Sequence, residues 1–275
     1  MTLILSLLRL MPKFKGKSRL ATFFIRSKKF NDVKVNGRYK CTYLLPNAAE
    51  NVGFEILVNG VYESETIDFI RDKVEENGLF LDIGANIGAI TVPIAKLRKD
   101  IKTVAIEAAP WILTYLESNV KSNSLKNVTV INKALSNING IVVSFFSPHD
   151  KFGKGSMAPV FTNDEVKVGT TTIDYLASSL KSKISFIKID IEGFEGLAFE
   201  GGEKLLKSDS APNILFEFVD WAENLSGNEV GYSQKVLLGF GYKLFVFENG
   251  KLTNPILTPL EKGSYMIFAT KESNQ

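Results

Sequence analysis

Two stretches carry side chains whose types and spacing could do chemistry. The first is GLFLDIGANIGAI, residues 78–90, in which Asp82, Gly84, Asn86 and Gly88 fall at every second position between two apolar runs. An ordinary loop does not need that pattern. A strand that delivers its end to a small molecule uses it well. Glycines let the backbone turn tightly and approach a ligand, and the helix that follows points free N–H groups at the same place. Glu107 closes the next apolar run, 23 residues beyond Gly84. A carboxylate there can accept from both vicinal hydroxyls of a ribose. Strand, glycine turn, helix, strand and acid together point to nucleoside binding. The second stretch is FIKIDIEGFEGLAFEGGEKLL, residues 186–206, with Lys188, Asp190 and Glu192 ahead of Gly193 and Glu195 beyond it. Several carboxylates at one strand end are costly if buried without partners. Glu192 and Glu195 suit the positive end of a helix. That does not explain Lys188 and Asp190, because Ile187 and Ile189 put them on the opposite side of the strand.

These residues need elements to hold them. The periodicity predicts a helix from Gly60 to Asn77, on which Ile67, Ile70 and Val74 share a face. Strands and helices then alternate. LFLDI (79–83) reads as a fully buried strand, residues 89–97 as a helix, 102–107 as a strand and 110–123 as a helix opened by Pro110. Strands follow at 127–132 and 140–146. Residues 147–165 are irregular, and a loop of that length is usually functional; with Gly153, Gly155 and Ser156 it is expected to fold over the acceptor. Further helices are expected at 172–180, near 195–207 and at 229–240, with strands at 185–190 and 213–218. YKLFVF and GSYMIFAT close the chain, and Asn249-Gly250 is a hairpin signal. Such alternation predicts an α/β fold with a mostly parallel sheet, helices on both faces and one antiparallel strand at an edge. Ligands of such sheets sit beyond the carboxyl ends of the strands. Asp82, Glu107, Asn132 and Asp190 stand there.

The chain has 275 residues, 45% hydrophobic and 23% charged, which is ordinary globular composition. The expected organisation is a basic extension over 1–58 and one domain over 59–275. Residues 1–40 hold eleven lysines and arginines against a single acid, Asp32, although the whole chain carries only +3. A basic arm on an acidic body suggests an anionic partner: a membrane surface, a lipid-linked glycan or a nucleic acid, the last ranked lowest because no aromatic-interleaved basic motif appears. The opening MTLILSLLRLMPKF is too short to span a bilayer and lacks the order of a secretory signal. The single cysteine, Cys41, excludes an internal disulfide and fits a reducing compartment. The expected location is the cytoplasm, with peripheral contact of the arm at the membrane.

Which nucleoside is bound depends on the turn. A dinucleotide seat needs G-x-G-x-x-G, and here Gly84-x-x-x-Gly88 lacks the middle glycine. The form D-x-G-x-N-x-G instead resembles the first motif of S-adenosylmethionine-dependent methyltransferases, whose cofactor carries a sulfonium and an amine and no phosphate. LDIGANIGAIT, IEAAP, Asn119 and Asn123 at a helix end, KALS and IKIDIEGFE together resemble the FkbM family of methyltransferases, from about Gly60 to Glu217. The resemblance implies a Rossmann-like class I methyltransferase fold with a seven-stranded sheet in the order 3-2-1-4-5-7-6. It also implies O-methylation, often of sugar or polyketide hydroxyls. By position, Asp82, Gly84, Asn86 and Gly88 would contact the methionine part, Glu107 the ribose, and Ala134 and Leu135 the adenine. Asp190 would lie near the methyl group, and Glu63 would reach the cofactor. IEAAP departs from the family, where a proline commonly follows the acid directly.

Methyl transfer to a hydroxyl needs an acceptor oxygen held in line and a group to take its proton. Asp190 is the first candidate for that group and Glu192 the second. His149, the only histidine, sits in the irregular loop and reads more readily as a turn residue, as Trp111 and Tyr115 read as packing. No Cys/His cluster offers a metal site, and a Mg²⁺ held by acids such as Asp190 is left open. Two other readings compete: a nucleotide-dependent oxidoreductase using the same ribose acid, which the missing glycine disfavours, and a non-catalytic membrane- or glycan-binding protein with a vestigial pocket. Neither the acceptor nor the oligomeric state can be read from the sequence.

Overall fold

The computed structural model describes residues 31–272. The apolar opening and most of the basic arm lie outside them. The described chain begins with a hairpin, β1 (Asn31–Asn36) and β2 (Thr42–Asn47), and two helices, α1 (Asn51–Asn59) and α2 (Ser64–Lys73). The βα units follow: β3 (Leu79–Ile83), α3 (Thr91–Leu97), β4 (Lys102–Ile106), α4 (Pro110–Ser122) and β5 (Val128–Ile131). Next come β6 (Ala134–Leu135), β7 (Val142–Phe146), β8 (Glu165–Thr171), α5 (Ile173–Ser179), β9 (Ile184–Ile189), α6 (Glu195–Glu200) and α7 (Glu203–Lys207). The end is built from β10 (Asn213–Val219), α8 (Asp220–Leu225), α9 (Tyr232–Gly239), β11 (Lys243–Glu248), β12 (Lys251–Pro255) and β13 (Ser264–Thr270).

The central sheet runs β12-β11-β13-β10-β9-β3-β4-β5. Read from β5 it gives β5-β4-β3-β9-β10-β13-β11, the implied class I order 3-2-1-4-5-7-6, with β12 added as an eighth strand. Asn249 and Gly250 both take positive φ, as a two-residue hairpin turn needs, and the turn adds β12 at the edge. β12 is thus the antiparallel strand expected at an edge, and a second antiparallel strand, β13, lies between β10 and β11. The helix expected over 60–77 is shorter. Gly60 instead caps α1, its N–H donating to the Ile56 carbonyl at 3.0 Å. The helix expected near 195–207 is two short ones, α6 and α7, separated by Gly201-Gly202. A small three-stranded sheet, β6-β8-β7, stands beside the main one.

Strand alternation positions the chemistry. Leu79, Leu81, Ile83, Ile187, Ile189, Ile214, Phe216 and Phe218 pack on one face. Phe80, Phe186 and Leu215 pack on the other, with Ile67 and Ile70 of α2 and with Phe268. Continuing the second set by two residues along each strand gives Asp82, Lys188 and Glu217. These polar residues extend the aromatic face toward the carboxyl edge, and Asp82 pairs with Lys188 in the parallel register. Each buried phenylalanine beneath them contributes about 1.5–3 kcal/mol. That fixes where the polar groups stand. Chain order reverses at β3, which feeds β4 on one side and lies against β9 on the other. A ligand crevice is expected at that switch.

Two asparagines dock the hairpin onto this body. Asn119 and Asn123 stand one turn apart on one face of α4. Asn119 Oδ1 accepts from the Leu44 N–H at 2.6 Å, and Asn123 Oδ1 from the Thr42 N–H at 2.9 Å. Their amide nitrogens donate back to the carbonyls of Leu44 and Thr42, and Asn119 also to that of Ile87. The exposed edge of β2 is thereby satisfied by side chains instead of a further strand. Val35, Tyr43 and Leu45 share a core with Ile56, Ile87 and Val92. Cys41 is buried there, and burial pushes its thiol up, as suits a small packing residue.

Candidate active site

A cleft of about 900 Å³, measured to its open mouth, lies across the carboxyl ends of β3, β4 and β9. Asp82, Gly84, Asn86, Glu107, Ala134, Leu135, Asp190 and Glu192 all line it. Residues 108 positions apart in sequence meet because the sheet switches direction there. Lys188 lines it too, as do Tyr62, Phe152 and Met157, which were not singled out as site residues from the sequence.

The glycine turn is shaped by close approach. Gly84 takes φ +75, and a Cβ there would stand 2.0 Å from the Asp190 carbonyl oxygen. The turn therefore brings the first motif against the second, backbone to backbone. Gly88 also has positive φ, but a Cβ on it would meet Leu116 and Val92. It does not line the cleft; its smallness serves helix packing. Asn86 is left-handed as well, a conformation asparagine tolerates. Its Oδ1 accepts from the Ile87 N–H at 2.7 Å, and its amide donates to the Phe152 carbonyl at 3.1 Å, so the irregular loop is tied to the glycine turn.

Glu107 is 8% exposed. Its Oε2 accepts from the Asn86 N–H at 2.9 Å and its Oε1 from the Ala109 N–H at 2.8 Å. Burial pushes this carboxyl up to about 7 against those hydrogen bonds. Asn132 holds the turn from below, donating to the carbonyls of Glu107 and Ala108 at 2.8 and 2.9 Å. The double alanine of IEAAP leaves the acid in the cleft.

The other half is ionic. Lys188 is 4% exposed, its Nζ 3.2 Å from Asp190 Oδ2. Burial pushes its ammonium down, but Asp190, Asp82 and Glu63 outweigh that and raise it, so it stays charged. Burial pushes Asp190 up, and the Lys188 ammonium prevails, holding the carboxyl below its ordinary value. Asp82 accepts from the Thr91 hydroxyl at 2.5 Å, while its Oδ1 is buried without a partner among the described residues. Burial raises it, opposed by Lys188. Glu192 Oε1 takes the Lys154 ammonium at 2.5 Å; burial and then Asp190 push this carboxyl up to about 7. Glu63 does not line the cleft. It opens α2 and borders a neighbouring cavity, with Tyr62 shared between the two. It acts on the cleft through the charge of Lys188. Trp111 stacks on His149, ring centroids 4.4 Å apart, and meets Tyr115 edge-on at 6.3 Å. None of these three lines the cleft.

Glu217 escaped sequence reading. It sits in β10 within NILFEF, where one acid in an apolar strand carries no motif. Alternation was the available signal, since Phe216 and Phe218 face one way and Glu217 the other. Burial, then Asp190 and Glu192, push it up to about 9.

The sequence pattern of the methyltransferase FkbM domain matches residues 82–244, more than half of the chain. The chain belongs to the FkbM methyltransferase family. The matched domain is a methyltransferase domain, for which S-adenosylmethionine is the expected cofactor. The residues fit that group: the unpartnered Asp82 Oδ1 can take a donor, and each Glu107 oxygen, holding a single N–H, has room to accept from a hydroxyl. Curated relatives include a probable ribosomal RNA small subunit methyltransferase A of Methanosphaera stadtmanae, 38% identical over 58 residues, 21% of each chain. Another is a tRNA(Phe) (4-demethylwyosine(37)-C(7)) aminocarboxypropyltransferase of Methanocaldococcus jannaschii, 38% identical over 71 residues, 26% of this chain and 27% of that one. The chain thus spans only about a quarter of their length or less. A solved structure it is similar to is a precorrin-6y C5,15-methyltransferase from Geobacter metallireducens, 15% identical, with 77% of this chain and 92% of that one covered and a TM-score of 0.45. Another is M. jannaschii TYW2 in complex with AdoMet, 17% identical, with 84% and 81% covered and a TM-score of 0.41. Among the described residues no helix is long and apolar enough to cross a membrane.

Proposed function

We propose that the protein is an O-methyltransferase acting on a hydroxyl of a sugar, a glycan or a related natural product. One observation supports this reading most: Asp190 lines the cleft with its carboxylate kept ionised by buried Lys188. An ionised carboxylate that keeps 29% of its side chain exposed is placed to accept a proton from a neutral hydroxyl. S-adenosylmethionine supplies an electrophilic methyl group when bound. Asp82 would hold its amine, Glu107 its ribose, and Ala134 with Leu135 its adenine. Asp190 would take the proton of the acceptor hydroxyl, with Glu192 the reserve acceptor of that proton. The loop carrying Phe152 and Lys154 closes one side and limits water.

The domain is read as 59–275 and the segment before it as an extension whose basic arm meets an anionic surface. The chain is placed in the cytoplasm, at the membrane face. The test is transfer of labelled methyl from S-adenosylmethionine to panels of glycans, lipid-linked glycans and RNA. Label on a sugar hydroxyl, abolished in Asp190→Asn, supports the reading; label on RNA alone, or on a nitrogen, sinks it.

A further inference from the structure

Asp190, Glu192 and Glu217 each turn one oxygen to a common point, and these oxygens lie within 4.8 Å of one another. Asp190 and Glu192 stand just beyond β9. Glu217 comes from β10, where Phe216 pairs with Ile189. Two oxygens on opposite sides of one hard cation, bound at about 2.1–2.4 Å, are about 4.2–4.8 Å apart. The spacing of these three oxygens, within 4.8 Å of one another, is compatible with one shared ion. A second observation is independent of it. Glu192 is 5% exposed, Lys154 occupies only its Oε1, and its Oε2 is buried with no partner among the described residues. A buried carboxylate oxygen without a donor costs about 1–3 kcal/mol or more. Lys154 itself comes from the loop, its side chain 38% exposed.

We propose that Asp190, Glu192 and Glu217 hold a divalent cation of the Mg²⁺ or Mn²⁺ class at the edge of the cleft. The donors are all oxygen, with no His or Cys beside them in the cluster, which selects a hard ion. Three carboxylates leave coordination positions for water and for an acceptor oxygen. An acceptor hydroxyl on that ion would lose its proton more readily, with Asp190 fixing the ion and receiving the proton. That use rests on the hydroxyl-transfer reading; the cation site itself does not.

The experiment strips the full chain with chelator and titrates Mn²⁺, counting free ion by paramagnetic resonance. One saturable Mn²⁺ per chain is expected, with Mg²⁺ competing. Glu217→Gln and Glu192→Gln, each checked for cooperative unfolding, should weaken it by about tenfold or more. Two substitutions keep the test alive if one variant fails to fold. No saturable site below about 1 mM, or less weakening than that in a folded variant, overturns the proposal. Mn²⁺ binding is read without turnover. A chain that binds the ion but methylates no hydroxyl therefore supports the site and sinks only the transfer reading.

Discussion

The two halves of the cleft handle buried acid in different ways. At the end of β4, Glu107 is met by two backbone N–H groups. On the β9–β10 side, Asp190 and Glu192 are met by the lysines Lys188 and Lys154, and an acid oxygen is left over. Backbone dipoles are fixed and neutral, so the first half suits a ligand that offers hydroxyl donors. Side-chain ammonium groups instead favour the charged form of the carboxylates beside them in the second half.

The harshest way to break this contrast is Lys188→Met. It leaves Asp82, Asp190 and Glu63 without their shared counter-charge, and denaturant unfolding should show a loss of about 3–5 kcal/mol. Asp190→Asn should keep the fold and lower kcat/KM for the labelled acceptor by about a hundredfold, measured by steady-state methyl transfer. Glu107→Gln tests the other half: one of its backbone N–H partners would face an amide nitrogen, and S-adenosylhomocysteine should bind about tenfold more weakly by calorimetry, with a smaller effect on the chemical step. Glu107 also sharpens the comparison through pH. Its folded pKa is raised from 4.5 to about 7, so the folded chain keeps a proton that the unfolded chain has lost in that window. The stability it contributes is complete below about pH 4.5 and lost as pH rises through about 7. The melting temperature of the cofactor-free chain should therefore fall from about pH 5 to about pH 8, and less steeply in Glu107→Gln. The smallest effect is expected away from both halves. Lys183 and Glu75 pair at 2.8 Å with side chains 54% and 53% exposed, and Lys183→Ala should change stability by no more than about 0.5 kcal/mol.

Much of this was legible in the chain. Apolar runs of five or six residues marked β3, β4, β9 and β10, because strands buried on both faces leave little room for polar residues. The acids closing three of them, Asp82, Glu107 and Asp190, do meet in one cleft. Glu63 and Gly88 do not reach its wall. Glu63 is held at the head of α2 beside Lys188's charge, and Gly88 is packed under Leu116. The hairpin at 31–47 could not be foreseen as docked, since it depends on two asparagines nearly eighty residues later gripping its backbone.

The sequence alone determined which segments became parallel strands, the glycine turn and the acids at the strand ends. Local period and local sterics decide those. Tertiary structure alone decided that Glu217 would join Asp190 and Glu192, that Lys188 would lie opposite Asp82, and that the loop's Lys154 would meet Glu192. Those meetings depend on strand order and register. Register is set by packing summed over the whole sheet, and no short stretch of residues carries it.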